Sequence, residues 1–539
     1  MNYYDFILVV RLFMRKFKLY FYTIKYLKCE QIYFRIYYLI RGKVSKKEYK
    51  KGLKRELKPI IWNDFLFNEK SYFGDDCFKF LNIKHCFNKK IDWNYLEYGK
   101  LWTFNLNYFD FLNQEGSNPE QGIRLINDFI TNDATLKEGK ESYTISLRGI
   151  NWIKFLSKHN IINQEIDQKL YNHFQRLLDN LELQFLGNHY LENGFALLFG
   201  AYYFQDNQFY LASKKILNKE LEEQVLADGA HIELSPMYHQ TMLHRVLDCI
   251  HLMQNNNLWE GGKLLLFLKN KAKKMLSWLQ SVTFKNGNIP MVNDSAFGIA
   301  PSSEALFKYA TFLGISWEEG KLLESGYRKI EKGNYELFLD VGEVGASYLP
   351  AHIHSDTFNF ELYVDKKPII VDTGTSTYEK NELRQLQRST KSHNTVQINS
   401  IEQSEIWGGF RVARRAKIVN LIENEKQIEA THDGYKKLNI LHTRNYSFKG
   451  DKISITDLLS KVSKFETNAF FHFHPECYIE KSSLNNSLLI NDKIKLDFNG
   501  DIKSLEVLDY EYCIGFNQTK KANFLKISFD KRLETQIYI

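Results

Sequence analysis

His352-Ile353-His354-Ser355-Asp356 opens the stretch that decides how this chain is read, and Phe358-Asn359-Phe360-Glu361-Leu362-Tyr363-Val364 continues it. Then come Asp365-Lys366-Lys367-Pro368, Ile369-Ile370-Val371 and Asp372-Thr373-Gly374-Thr375, and the stretch closes on Ser392-His393-Asn394-Thr395-Val396. Alternation before Asp365 and the β-branched run after Pro368 predict two strands joined by a tight turn. Strand side chains alternate with period 2, so His352 and His354 are expected on one face. The returning hairpin carries Asp372 back beside the start of the first strand. His354, Asp372 and His393 are then candidate ligands of one metal ion, and zinc accepts this mixed nitrogen and oxygen set. For an isolated His-x-His, the competing reading is a polar strand end bonded to water or backbone.

Downstream of this stretch, Ala416–Ile422, Ile453–Leu458, Ala469–His474 and Phe524–Phe529 read as further strands, and Glu336–Asp340 reads as one upstream. Many short strands separated by turns predict antiparallel sheets stacked as a sandwich over residues 331–539. His472 and His474 share a strand face without a nearby carboxylate and read as structural. Upstream the period changes. Glu120–Ile130, Ser146–Lys158, Gln164–Phe185, Asn193–Phe204, Phe209–Ala227, Pro236–Met253 and Gly262–Ser281 carry helical spacing with short connections. That predicts an all-α domain over residues 101–330, with the boundary near 320–335. Residues 1–100 are basic and aromatic and are expected to form a helical segment packed on that domain. A basic amphipathic helix can also lie on a membrane surface; packing along its own domain is the favoured expectation.

Hydrophobic residues make up 44% of the 539 and aromatics 15%, enough for a large core and too much for a disordered chain. The formal charge of +8 suits an anionic partner without requiring one. No zinc-finger spacing and no RNP-like motif speak for nucleic acid. The six cysteines show no Cys-x-x-Cys pair, so neither a disulfide framework nor a thiolate metal site is expected. No run reaches the length of a membrane-spanning helix. Phe6–Val10 is followed by Arg11, Arg15 and Lys16 and lacks a clear signal-peptide pattern.

Two motifs stand out in the helical half. Gly187-Asn188-His189-Tyr190-Leu191-Glu192-Asn193-Gly194 opens a helix, where unsatisfied backbone N–H groups favour anions. An asparagine there can also be a cap and nothing more. Ser235-Pro236-Met237-Tyr238 reads as a helix start with proline at the first position, which places Tyr238 in the first turn near a cleft edge. Arg148 and Arg388 are the arginines best placed to bind a carboxylate or sulfate in bidentate fashion. Asn293-Asp294-Ser295 can cap a helix or hydrogen-bond the junction between the two halves.

The run from His352 to Asp372, followed by Arg388-Ser389-Thr390, Ser392–Val396 and Trp407-Gly408, resembles the heparinase II/III-like family. Members are polysaccharide lyases acting on uronic-acid polymers, and many are envelope proteins. The resemblance implies that the helical half is an incomplete (α/α) toroid followed by the antiparallel β-sandwich. It places Leu101–Phe109, with Tyr108, along a substrate groove, where the residues by themselves read equally as an ordinary buried aromatic turn, and Glu192 belongs to the same expected substrate contacts. It makes Asn188 and His189 the groups that neutralise the uronate carboxylate, Tyr238 the proton donor and His352 the candidate base. The ion at His354, Asp372 and His393 is then expected to be structural. The partner implied is an acidic polysaccharide. A C5 epimerase of the same fold and a non-catalytic polysaccharide-binding or assembly protein remain as alternatives. A glycoside hydrolase using Glu192 and Glu233 ranks last, because nothing singles out that pair.

Overall fold

The computed structural model describes residues 3–44, 47–53, 57–259, 262–481 and 486–539. Helices α1 (Tyr3–Ile24) and α2 (Cys29–Val44) come first, and the side chains of Phe6–Val10 lie outside what is described. The described residues of 47–53 and 57–99 contain no helix, contrary to the expectation for residues 1–100. Among them is one small hairpin, β1 (Cys77–Phe80) and β2 (Ile83–Cys86). Cys77 and Cys86 face each other across this hairpin and are joined by a disulfide, which the cysteine spacing did not suggest.

Nine helices follow among the described residues: α3 (Lys100–Tyr108), α4 (Pro119–Asn132), α5 (Ser142–Lys158), α6 (Gln164–Asp179), α7 (Gly187–Phe204), α8 (Asn207–Gln224), α9 (Pro236–Asn255), α10 (Gly262–Val282) and α11 (Ser303–Phe312). They form the incomplete (α/α) toroid. Their starts are written locally. The side chains of Asn118, Asn163, Asp206, Ser235 and Ser302 each accept a backbone N–H of the first turn, and proline follows Asn118 and Ser235. The expected helix Gln164–Phe185 ends at Asp179 instead. Residues 180–186 form turns whose carbonyls serve as docking points for α2.

The centre of the toroid is α7. Phe195-Ala196-Leu197-Leu198-Phe199 continues to Phe204 with every side chain buried. A helix that is apolar all round has no solvent face and must sit in the middle of its layer. Each fully buried leucine or phenylalanine contributes about 1.5–3 kcal/mol, so the N-terminus of α7 is anchored by its own core.

The strand half begins with the sheet β3 (Tyr327–Lys332), β4 (Tyr335–Asp340), β5 (Phe360–Val364) and β6 (Lys367–Ile370), antiparallel in that order. A short helix α12 (Glu382–Gln387) and the strands β7 (Val396–Ile398), β8 (Ile406–Trp407) and β9 (Arg411–Val412) follow. Then come β10 (Ile418–Asn424), β11 (Gln427–His432), β12 (His442–Lys449), β13 (Lys452–Leu459), β14 (Thr467–His472), β15 (Ile479–Lys481), β16 (Ser487–Ile490), β17 (Ile494–Gly515) and β18 (Gln518–Tyr538). The large sheet runs β10-β11-β12-β13-β18-β17-β16-β15, with β14 and β7 branching from β18. Leu337, Leu362, Phe471 and Ile527 belong to the core shared by the two sheets.

The central hairpin is β5–β6, turned at Asp365-Lys366, both in the left-handed region that two-residue hairpin turns need. The first strand starts only at Phe360. His352 to Phe358 is a loop, so the expected same-face His-x-His strand does not exist. The segment Phe284–Ser295 ties the two halves together. Phe284 stacks on Tyr363 with ring centroids 3.7 Å apart, and Met291 N donates to Glu361 Oε1 (2.6 Å).

Candidate active site

Glu233 closes the N-terminus of α7. Asn188 donates its backbone N–H to Oε1 (3.0 Å) and its Nδ2 to Oε2 (2.7 Å). The anion that this helix start favours is thus a carboxylate of the chain itself. Gly187 makes the approach feasible: its φ is +57°, and a Cβ there would stand 2.5 Å from Glu233 Oε1. Burial alone would raise the Glu233 carboxyl, but the facing His352 and His231 and the two Asn188 hydrogen bonds hold it below its ordinary value.

On the strand side, Asp294 is the hub. Its Oδ2 meets His352 Nδ1 (3.0 Å) and its Oδ1 meets His354 Nε2 (2.9 Å). Arg384 of α12 grips both oxygens, at 2.6 Å for Nη2 to Oδ2. All three side chains other than His352 are fully buried. Burial opposes ionisation of Asp294, but the Arg384 charge and the two histidine hydrogen bonds keep the carboxyl well below the usual carboxylate range. His352 and His354 therefore do converge, around one carboxylate and not through strand alternation. Their loop is fixed from behind. Asn293 Oδ1 accepts His354 N (2.9 Å), and Arg388 donates to Ile353 O through Nε (3.1 Å) and Nη2 (2.7 Å).

Tyr238 joins the two sides. Its ring lies on His352 with centroids 3.9 Å apart, and its hydroxyl stands 3.3 Å from the hydroxyl of Tyr378. Burial and the neighbouring Tyr378 hydroxyl push the Tyr238 phenol well above its ordinary value, so it holds its proton at neutral pH. His352 Nε2 stands 3.6 Å from Glu233 Oε2. Asn188, Glu233, His352, Tyr238 and Tyr378 thus form one continuous constellation across the junction of the two halves.

The other expected residues divide. His189 is close by and 42% exposed, with its ring between Tyr143 (4.6 Å) and Phe185 (5.3 Å) and Nδ1 on Glu182 Oε1 (3.1 Å). Burial would lower its pKa; the carboxylates of Glu182, Glu233 and Glu192 outweigh that and raise it. Glu192 is fully buried and bonded to Arg245 Nε (2.9 Å), so it faces the toroid core and not a substrate. Arg148 is buried as well, donates to Gly139 O (2.9 Å) and lies over Phe129. Burial lowers its pKa to about 9. Arg388 is buried as the clamp of the Ile353 carbonyl, and Tyr108 is buried with its ring 6.1 Å from Tyr143. Arg148, Arg388 and Glu192 are thus engaged by partners within the chain itself. Glu233, Arg384 and Tyr378 were not singled out for this site by the sequence; Asp294 was, as a residue bonding the junction.

The expected metal ligands lie near one another but not as a three-residue set. Asp372 Oδ2 accepts from His393 Nδ1 (2.8 Å) and Asn359 Nδ2 (2.7 Å), and Oδ1 accepts from Gly374 N (2.9 Å). These three hydrogen bonds take up most of its acceptor capacity, and among the described residues no group of three His, Cys, Asp or Glu is arranged to hold an ion. Two nitrogens fit better. His354 Nδ1 and His393 Nε2 are buried without a hydrogen-bond partner, on rings 5.3 Å apart. Each ring's other nitrogen is committed to a carboxylate, the arrangement that leaves a bare imidazole nitrogen for a metal.

Comparison with known proteins agrees with this architecture. The description "Heparinase II/III N-terminus" matches residues 151–313, and "Heparinase II/III-like, C-terminal" matches residues 316–539. Heparin-sulfate lyase from Bacteroides stercoris is 24% identical over 252 residues, 41% of this chain and 37% of the relative. The enzyme of the same name from Pedobacter heparinus is 24% identical over 256 residues, 41% and 38%. The match thus spans well under half the length of these curated relatives. A crystal structure of heparinase III superposes with a TM-score of 0.64 at 15% identity, covering 93% of this chain and 88% of that one. A heparan sulfate lyase mutant from Pedobacter heparinus superposes with 0.58 at 16% identity, covering 93% and 87%. The fold is shared, and with both descriptions matched in order along it, the chain belongs to the heparinase II/III-like family.

Proposed function

We propose that the protein is a polysaccharide lyase that cleaves a uronic-acid-containing glycosaminoglycan by β-elimination. The observation that carries this is the stacking of Tyr238 on His352 beside the Asn188–Glu233 pair. The names of the curated relatives, heparin-sulfate lyases, support the substrate class.

The chemistry follows from the protonation states. The Asp294 carboxylate stands 3.0 Å from His352 Nδ1 and orients Nε2 toward the Glu233 side of the cleft; in the tautomer that donates Nδ1–H to Asp294, Nε2 is free to act as a base. It takes the C5 proton of the uronate. The C5–H electrons form the C4=C5 double bond, and the C4–O bond breaks. The leaving oxygen takes the phenolic proton of Tyr238, which its raised pKa keeps available. C5 becomes acidic only when the adjacent carboxylate charge is offset. The second Nδ2–H of Asn188, positioned by Glu233, and the imidazole of His189 supply that stabilisation. Glu233 and Asp294 are positioning residues.

A zinc ion belongs to the same proposal. His354 Nδ1 and His393 Nε2 would hold it, with Asp372 orienting His393, and it would supply a cross-link within the strand half rather than chemistry. Metal analysis of the purified protein and a drop in Tm on chelation, reduced in a His393→Ala variant, test this. A Tm indifferent to chelation overturns it.

The lyase reading is tested with a panel of uronic-acid polymers, followed by the ultraviolet absorbance of the unsaturated product. Absorbance that grows with the parent and is lost on Tyr238→Phe is expected. No absorbance with any polymer, or an undiminished rate in the variant, overturns the mechanism.

A further inference from the structure

Residues 1–50 contain 12 Lys and Arg against 3 Asp and Glu, and the rest of the chain 60 against 61. The basic surplus of the whole protein therefore lies in the segment that forms α1 and α2. Both helices dock by one face. Thr23 Oγ1 accepts Trp407 Nε1 (3.1 Å), and Tyr22 and Tyr26 lie beneath the guanidinium groups of Arg414 and Arg415. On α2, Gln31 donates to Phe185 O (3.0 Å), Tyr38 to Leu181 O (2.7 Å) and Arg41 to Asp179 O (2.7 Å).

Among the described residues, nothing covers the opposite faces. Phe13, Phe17 and Phe21 on α1, and Tyr33, Ile36 and Ile40 on α2, are 54–67% exposed. Spacings of three and four residues place each set in one stripe. Lys16 and Lys18, both exposed, fall on either side of the α1 stripe, because successive residues turn by about 100°. Aromatic and aliphatic rings flanked by basic side chains suit an interface that is apolar below and anionic above. A second copy would bring an equally basic segment against the first, and the like charges would oppose it.

We propose that the α1–α2 hairpin is a membrane-docking element that lies on an anionic phospholipid surface, with the two stripes inserted at the headgroup boundary. The proposal does not depend on the lyase reading. It places the cleft beside the bilayer, since α2 is bonded to the 179–186 turns, whose Glu182 holds His189.

The test is co-sedimentation of the full chain with phosphatidylcholine vesicles, with and without phosphatidylglycerol. Binding only to the anionic vesicles, and release at high salt, are expected. Replacing Arg15, Lys16 and Lys18 together with Gln should weaken binding on the order of 100-fold. Replacing Phe13, Phe17 and Phe21 with Ser should abolish it, with the melting temperature of both variants unchanged because the positions are exposed. No binding by the parent, or binding unaltered in both variants, overturns the proposal. So does light scattering that shows a parent dimer dissolved by the Phe→Ser variant, since the stripe would then be covered by a second copy.

Discussion

Tyr238 and His352 lie ring on ring, yet the two halves of the protein hold them by opposite means. Tyr238 sits in the first turn of α9. Ser235 Oγ accepts its N–H, and Pro236 presets the backbone, so its position is determined within three residues. His352 sits in a loop with no repeating hydrogen bonds. Its imidazole is held by Asp294, 58 residues earlier, which is gripped by Arg384, 90 residues beyond Asp294. A helix start tolerates the loss of one support, because the rest of the helix remains. A buried hub does not, because removing one member leaves the others charged and unpaired.

The hub is where that comparison is most easily broken. Asp294→Asn leaves Arg384 buried without its counter-charge, and the expected loss is about 3–5 kcal/mol, read by denaturant unfolding. The same variant tests the pH dependence. The folded Asp294 carboxyl lies well below its unfolded value near 4, so its contribution is full above that value and is lost as pH falls through the folded one. The parent should therefore lose Tm on acidification more steeply than Asp294→Asn. Equal slopes would remove Asp294 from its central place.

Tyr238→Phe comes next. Turnover should fall about 100-fold or more, equivalent to about 3 kcal/mol of transition-state stabilisation, with unfolding unchanged. Comparable losses in kcat and stability would mean that the hydroxyl is structural. Ser235→Ala, on the locally determined side, should cost only about 1 kcal/mol. If it costs as much as Asp294→Asn, the contrast between the two halves fails.

The smallest effect concerns His189. Its raised pKa keeps the ring cationic further up the pH scale, so KM for an anionic polymer should rise a few-fold as pH climbs through that value. In His189→Ala that slope should vanish, while kcat keeps its own profile. A variant with the parent's KM profile would show that the binding charge lies elsewhere.

Much of the architecture was legible in the residues. Ser235-Pro236 marks a helix start, and Ser146–Lys158 and Pro236–Met253 carry the helical spacing of α5 and α9. Asp365-Lys366 turns a hairpin, and the last toroid helix ends at Phe312 before the first sandwich strand at Tyr327. Each of these signals acts within one or two turns of chain, through capping, period or turn geometry, and so survives in a sequence read alone. Asn188, Tyr238 and His352, which the structure brings together, were singled out because they belong to such local patterns or to the family's motifs.

The partners of those residues were decided only by the tertiary structure. Glu233 closes α7 from 45 residues away, Arg148 and Arg388 turn inward to backbone carbonyls, and Asp372 is taken by His393 and Asn359. A buried carboxylate or guanidinium must find its counterpart wherever packing brings one, and that choice depends on distances no spacing encodes. The sequence by itself determined two folded halves of different class and the residues at the element ends. Only their packing against each other decided which carboxylate holds which imidazole, because desolvation makes an unpaired charge at that junction too costly to leave.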